Sequence, residues 1–192
     1  MANAYHYGDL REAMISEAMR ALEEGHGAPG LRDIARRVGV SPTATYRHFA
    51  SRDALLGAVA QRGFDDLGHR FAEAAKDRDR GLMGFGLAYV AFARERPAMF
   101  RLMFGGAIPV PSQISQDEGD GERIGSGAFR ALLQAVALTR GSSTDDPDVL
   151  VAAVRAWSLV HGYAMLLLDD RLPDAAADRA FLNRMLDGSG SE

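Results

Sequence analysis

Hydroxyl, guanidinium, imidazole and phenol groups crowd into one short stretch of the chain, SPTATYRHFASR, residues 41–52. Pro42 suits the start of a helix, because the first helical position needs no backbone N–H. A helix of about two turns fits the major groove of DNA, where side chains reach the base edges. Hydroxyls and backbone amides near the start of such a helix suit contact with phosphates or bases. This stretch therefore predicts a helix that contacts DNA.

The residues just before this stretch complete the pattern of a helix-turn-helix. Two short helices that cross at a steep angle need a small residue where they touch and a tight turn between them. Ala35 supplies the small residue, and Gly39 supplies the freedom to adopt positive φ in the turn. Flanking apolar anchors are Ile34, Val38, Val40, Tyr46 and Phe49. The alternative interpretation is a plain helical hairpin in a bundle.

Composition excludes several other chemistries. The chain has no cysteine, which excludes disulfides, thiolate catalysis and cysteine-ligated metals. The five histidines show no paired spacing typical of a metal site. The net charge is −4, yet residues 1–63 carry eight arginines against seven acidic residues. A slightly basic first third and an acidic remainder suit DNA binding through one small face.

Helical periodicity dominates the chain, and we expect an all-α fold. Three helices form a helix-turn-helix domain over 1–50, a linking helix starts after Ser51 within 51–80, and a helical bundle follows over 81–187. In this bundle we expect helices at 82–95, 98–104, 124–138, 148–168 and 175–186, with a mobile loop at 105–121 and a disordered tail at 188–192. No apolar run reaches the ~18 residues of a membrane span, and no signal-peptide core is present. We therefore expect a cytoplasmic protein.

The N-terminal pattern resembles the DNA-binding domain of the TetR/AcrR repressors over residues 5–64, most specifically in GVSP…YRHFASRDALL. The resemblance implies base-facing positions at Arg32, Pro42, Thr43 and Ala44, with Thr45 beside them, and phosphate contacts from Tyr46, His48 and Arg52. With Ser41 and Arg47 these residues form the predicted DNA-binding set. Gly30 departs from the family, which often has Ser or Thr as the N-cap there. Thr45 stands where an apolar residue is common, so its side chain faces either the core or DNA.

A second resemblance covers most of residues 81–186. The stretches RPAMFRLMFGG and AWSLVHGYAMLLLDDRL are similar to a TetR-type C-terminal domain. That domain is marked by a Trp…His-Gly signature, which here is Trp157, His161 and Gly162. Such domains typically dimerise through their last two helices and hold an effector pocket. Aromatic and methionine side chains either form core or line an apolar cavity. The predicted ligand-binding residues are Phe64, Phe85, Tyr89, Phe92, Met103, Phe104, Trp157 and His161. For His161, a packed histidine with a satisfied hydrogen bond is the favoured interpretation. Gly162, inside a helix, suggests a close approach of another helix, including one across a dimer interface.

These patterns favour a homodimeric transcription regulator, most simply a repressor that a small-molecule effector releases from a double-stranded DNA operator. The alternative is a helical small-molecule-binding protein without DNA binding. A third class, an enzyme, has no supporting residue set: Gly81, Gly84 and Gly86 lie in a helical pattern and form no phosphate loop. The acidic run at 117–122 lacks the spacing of a calcium loop. We expect no cofactor, no metal and no membrane partner.

Overall fold

The computed structural model describes residues 7–25, 27–77, 79–106 and 126–187, and every regular element in these ranges is helical. The helices are α1 Tyr7–Glu23, α2 Leu31–Val38, α3 Pro42–Tyr46, α4 Arg52–Ala74, α5 Gly81–Glu95, α6 Pro97–Phe104, α7 Ser126–Arg140, α8 Pro147–Leu168 and α9 Arg179–Asp187, with a 3₁₀ turn at Asp174–Ala176 before α9. The all-α expectation is confirmed. Residues 107–121 of the loop predicted at 105–121, and the tail predicted at 188–192, lie outside the described residues.

Contacts divide the chain into two compact units. The head unit comprises Met1–Gly63 and Ala98–Ile124, and the C-terminal unit comprises Phe64–Pro97 and Gly125–Glu192. Helix α4 therefore contributes its first half to one unit and its second half to the other. The functional domains expected at 1–50, 51–80 and 81–187 stay predictions, because compactness alone does not define function.

In the head unit, α1 packs on α2 and α2 packs on α3. The core of these helices contains Met14, Ile15, Ala18, Leu31, Ile34 and Ala35, all buried. Helix α2 ends at Gly39, whose φ of 79° lets the N–H of Val40 reach back to the carbonyl of Ala35 at 2.9 Å. The expected tight turn is confirmed. Met99 and Met103 of α6 pack over Gly63 of α4, where a Cβ would collide with their sulfur atoms.

Helix α3 is shorter than expected, because it ends at Tyr46 and not near His48. The N–H groups of His48 and Phe49 both reach the carbonyl of Thr45, at 3.0 Å each, which tightens the last turn. Phe49 is buried in the head and fixes the exit of the chain. Helix α4 then starts behind Ser51, whose hydroxyl accepts from the N–H of Ala54 at 3.1 Å, as expected of an N-cap.

In the C-terminal unit, α5 packs on α7, α8 and α9, and α7 packs on α8. Gly86 explains the close approach at α5: a Cβ there would lie 2.9 Å from Leu186 of α9 and 3.2 Å from Val160 of α8. The end of the chain differs from expectation, because the segment predicted as one helix from Ala175 is split in two. Asp178 accepts from the N–H of Phe181 at 2.6 Å and so caps a new helix.

Helix α8 corrects the expectation that no apolar segment is long enough for a membrane span. Its 22 residues, Pro147–Leu168, meet that length and hydropathy, with 28% of the apolar window buried. One such helix is weak evidence for a membrane, because the central helix of a globular unit passes the same test. The helix ends at Leu168; Asp170, two residues later, has φ 50°, and the N–H of Arg171 bonds to the carbonyl of Leu166. This left-handed cap explains the acidic pair at 169–170, since Asp tolerates that conformation better than most residues.

Candidate nucleic-acid interface and effector cluster

The outer face of α3 carries most of the predicted DNA-binding set. Pro42, Thr43, Tyr46 and Arg47 are exposed, and Ala44 is half-buried. Tyr46 is 52% exposed, so the prediction that it anchors the motif as an apolar residue is wrong, and its phenol faces outward. An exposed row of hydroxyl, phenol and guanidinium groups on a short helix matches what base and phosphate contact requires.

The start of α3 is held by its own N-cap. Ser41 has extended backbone angles, and its hydroxyl accepts from the N–H of Ala44 at 3.2 Å. Pro42 occupies the first turn, where its missing N–H costs nothing. Ser41 therefore positions the start of the helix.

Thr45 does not belong in the DNA-binding set. Its side chain is fully buried, and its hydroxyl donates to the carbonyl of Pro42 at 2.7 Å. The sequence left open whether this residue faces core or DNA, and the structure places it in the core. Because its hydroxyl bonds within its own helix, Thr45 can be buried at a position where an apolar residue is common.

The remaining predicted contacts lie at the two ends of the motif. Arg32 is exposed in the first turn of α2, and His48 is half-buried after α3. Arg52 is exposed at the start of α4, but its guanidinium is engaged: Nη2 donates to the carbonyl of Ala28 at 2.7 Å, and Nε donates to that of Pro29 at 3.3 Å. Binding of a phosphate by Arg52 stays a prediction. Its hydrogen bonds to two backbone carbonyls indicate a structural role as well.

Sequence reasoning missed an ion-pair network that ties α1 to α2. Glu17 accepts from Arg20 at 2.6 Å and from Arg37 at 3.2 Å, and Glu24 accepts from the same two arginines at 2.6 Å and 2.8 Å. The hydrogen bond from Arg20 is the main cause that holds the pKa of Glu17 below its ordinary value; burial opposes it, and Arg37 adds to it. Glu and Arg spaced three or four apart on α1 carry a signal for the pair within that helix, whereas nothing local reveals the link to Arg37.

In the C-terminal unit, three of the predicted effector residues form a hydrogen-bonded chain. The indole N–H of Trp157 donates to the Tyr89 hydroxyl at 3.3 Å, and that hydroxyl lies 2.8 Å from Nδ1 of His161. The indole has only a donor, so the arrangement that satisfies all three groups has Tyr89 donating to a neutral His161. Burial raises the pKa of Tyr89 above its ordinary value, and burial lowers the pKa of His161. Both shifts favour the neutral forms, and the contact with Tyr89 agrees with the favoured interpretation of His161 as a packed, hydrogen-bonded histidine. Its role in ligand binding stays a prediction.

Aromatic rings extend this chain into a larger cluster. Phe71 lies against Phe85 and Tyr89, with ring centroids 5.1 and 6.4 Å apart, and Phe129 lies 5.8 Å from Trp157. Phe71 and Phe129 were not among the sequence-predicted effector residues. Helical spacing predicts that such a residue is buried, but it does not predict which side chain it packs against. We call Phe71, Phe85, Tyr89, Phe129, Trp157 and His161 the aromatic cluster.

The other predicted effector residues fall outside this cluster. Phe64 and Phe92 are buried in the C-terminal unit, and Phe92 lies under the guanidinium of Arg70 at 5.3 Å. Met103 and Phe104 belong to the head unit, where Met103 packs on Gly63 and Phe104 on Phe100. The structure therefore divides the predicted set between two units, and its role in ligand binding stays a prediction.

Two family models match the chain. The model of bacterial regulatory proteins of the tetR family matches residues 15–59, and the model of the tetracyclin repressor-like C-terminal domain matches residues 82–188. An uncharacterized HTH-type transcriptional regulator of Mycobacterium tuberculosis is 23% identical over 92% of this chain and 78% of its own length. A structure from Rhodococcus sp. RHA1, a protein of unknown function, is 27% identical with a TM-score of 0.71, covering 99% of this chain and 96% of that one. A tetR-family transcriptional regulator from Streptomyces coelicolor has the same fold, with 20% identity and a TM-score of 0.65 over 97% of this chain and 81% of that one.

Proposed function

Because this chain belongs to the TetR family of DNA-binding transcriptional regulators, we propose that it is a homodimeric repressor that a small-molecule effector releases from its operator. Members of this family bind DNA operators and form dimers, and they are generally soluble, cytoplasmic and not enzymes. The observation that carries the proposal is the exposed face of α3, above all Tyr46, presented by a head whose core is complete without it. A small-molecule-binding protein without DNA binding would have no use for such a surface.

Helix α8 supports a dimer. An additional Cβ at Gly162, in the middle of this helix, would meet no atom of the described chain within 4 Å. A glycine there costs about 1 kcal/mol in helix stability relative to alanine, and no close contact among the described residues accounts for it. Val151 and Leu166 on the same helix are exposed apolar residues. A helix from a second copy would cover this surface and use the space at Gly162.

The aromatic cluster supports an effector site in the C-terminal unit. Its rings offer apolar surface, and the chain from Trp157 through Tyr89 to His161 offers polar groups held in fixed orientations. We propose that the effector binds at this cluster, while contributions from Phe64, Phe92, Met103 and Phe104 stay predictions from the sequence. Ligand binding would favour a head spacing that does not match the operator, and α4, which contributes to both units, would transmit the change.

The proposal is tested by binding of the purified protein to DNA from beside its own gene, measured by fluorescence anisotropy with a scrambled duplex and a salt series. Tyr46→Ala removes an exposed contact without touching the core, so we expect loss of sequence-dependent binding in a folded protein. Gln134→Ala, at an exposed position of α7 outside the predicted DNA-binding set, is the matched control and should bind as the wild type does. Equal, weak binding of the wild type to both duplexes, also after selection from random DNA, would contradict the regulator and favour the alternative.

A further inference from the structure

Helix α2 carries Arg32 in its first turn, and no side chain caps the start of this helix. Gly30 is its N-cap and has no side chain with which to bond the first amides. The helix has eight residues and buries only Leu31, Ile34 and Ala35. Isolated helices of this length are unstable in water, so contacts from other elements must determine its position.

One of those contacts comes from the start of α4. Arg52, the first residue of α4, donates from Nη2 to the carbonyl of Ala28 and from Nε to the carbonyl of Pro29, the two residues just before the N-cap. Pro29 is itself buried and rigid in φ. Two bonds from one planar guanidinium fix orientation as well as distance. The segment from Ala28 to Arg32 is only five residues long, so holding its first two carbonyls limits where Arg32 can point.

We propose that Arg52 is a positioning residue for DNA recognition: it holds the 28–30 segment, and through it the start of α2 and Arg32, instead of serving chiefly as a phosphate ligand. The geometry explains why an arginine stands at the N-terminus of α4, where the helix dipole disfavours a positive charge. The carbonyl oxygens of Ala28 and Pro29 supply partial negative charge that offsets it. The proposal concerns how the head reads DNA and does not depend on the effector.

Three roles for Arg52 leave different signatures in DNA binding. Loss of a phosphate contact weakens binding to specific and scrambled DNA alike. It also makes the fall of log K with log salt concentration less steep, by about 0.9 per contact. Loss of positioning weakens specific binding alone, because base contacts depend on the orientation of Arg32 while phosphate attraction does not. A loss of stability alone lowers the active fraction and leaves both dissociation constants unchanged.

The experiment compares wild type with Arg52→Met and Arg52→Lys on a duplex enriched from random DNA by the wild-type protein, and on its scrambled version. We expect both variants to lose about tenfold in the ratio of specific to scrambled affinity, a change that corresponds to about 1.4 kcal/mol, with the salt slope unchanged. Lysine keeps the charge but has no planar fork to span two carbonyls, so it should not rescue specificity. Arg47→Met removes the same charge from the residue that follows α3, which is in the predicted DNA-binding set, and serves as the reference for a less steep salt dependence.

Amide hydrogen exchange supplies a readout that needs no DNA. The N–H of Ile34 bonds to the carbonyl of Gly30 at 3.1 Å and reports on the first turn of α2. We expect exchange at Ile34 to accelerate in Arg52→Met while the amides in the middle of α8 stay protected. A salt slope lowered by about one, restored by Arg52→Lys, with exchange at Ile34 unchanged, would overturn the proposal and make Arg52 a phosphate ligand. Unchanged affinities for both duplexes would also overturn it.

Discussion

The head unit and the C-terminal unit hold their helices in place by different means. In the head, α2 is short and is tied at one end by Arg52 to loop carbonyls and at the other by Arg37 to the carboxylates of α1. In the C-terminal unit, long helices pack through buried rings and aliphatic side chains, with a cluster of Leu132, Val136, Ala137, Val149 and Ala153 between α7 and α8. In the head, directional hydrogen bonds and ion pairs thus hold short helices in position. In the C-terminal unit, the burial of apolar side chains holds long helices together. A surface that reads DNA needs fixed orientation, and an adaptable apolar interior is what the proposed effector site would need.

The largest expected effect tests the apolar side of this comparison. Phe92 is fully buried in the C-terminal unit, so Phe92→Ala should lower the free energy of unfolding by about 3–5 kcal/mol, because it removes apolar contacts and leaves a cavity. Arg70→Met removes the guanidinium that lies over the same ring and should cost much less. Urea unfolding followed by circular dichroism measures both. Equal losses in the two variants would mean that ionic contacts matter as much here as in the head.

Two glycines within the C-terminal unit provide a sharper test. Gly86→Ala should destabilise the unit by about 1–3 kcal/mol, because its Cβ would collide with Leu186 and the helices would have to separate. Gly162→Ala meets open space within the described chain, so it should add helix stability to the monomer while weakening the proposed dimer. Sedimentation equilibrium gives the dimer dissociation constant, and unfolding gives the stability. A Gly162→Leu variant that dimerises as tightly as the wild type would rule out this face of α8 as the interface.

The smallest expected effect separates the two units by pH. The pKa of Glu17 is held below its ordinary 4.5, first by Arg20, so its stabilisation is present above pH 4.5 and is lost as the pH falls through the lower folded value. The pKa of His161 is lowered from 6.5 by burial, so below pH 6.5 the unfolded chain takes up this proton first and stability falls. Urea unfolding between pH 7.5 and 3.5 should therefore show the His161→Gln difference starting at higher pH than the Glu17→Gln difference. Differences that stay constant across this range would contradict both assignments.

Local patterns in the sequence were sufficient to locate the reading head. The turn after α2 needs a residue with positive φ, which Gly39 supplies. Ser41 and Ser51 cap helices because their hydroxyls bond amides three residues later. Ile34 is buried, as the helical spacing of apolar residues predicts. Each of these properties depends on neighbours within four residues. The same kind of signal identified helices α5, α6 and α8 to within one residue at either end.

Only the tertiary structure decided what depends on residues far apart in the chain. Thr45 proved to face the core, Arg52 proved to bond carbonyls 23 and 24 residues earlier, and Phe129 proved to lie against Trp157. Sequence spacing cannot reveal these pairings, because a polar or aromatic side chain on a helix has the same local pattern whether it meets a partner or solvent. The sequence by itself determined an all-α chain with a helix-turn-helix of the TetR type. The packing of the helices determined which of its arginines stay exposed, as Arg32 does, and which bond distant carbonyls, as Arg52 does.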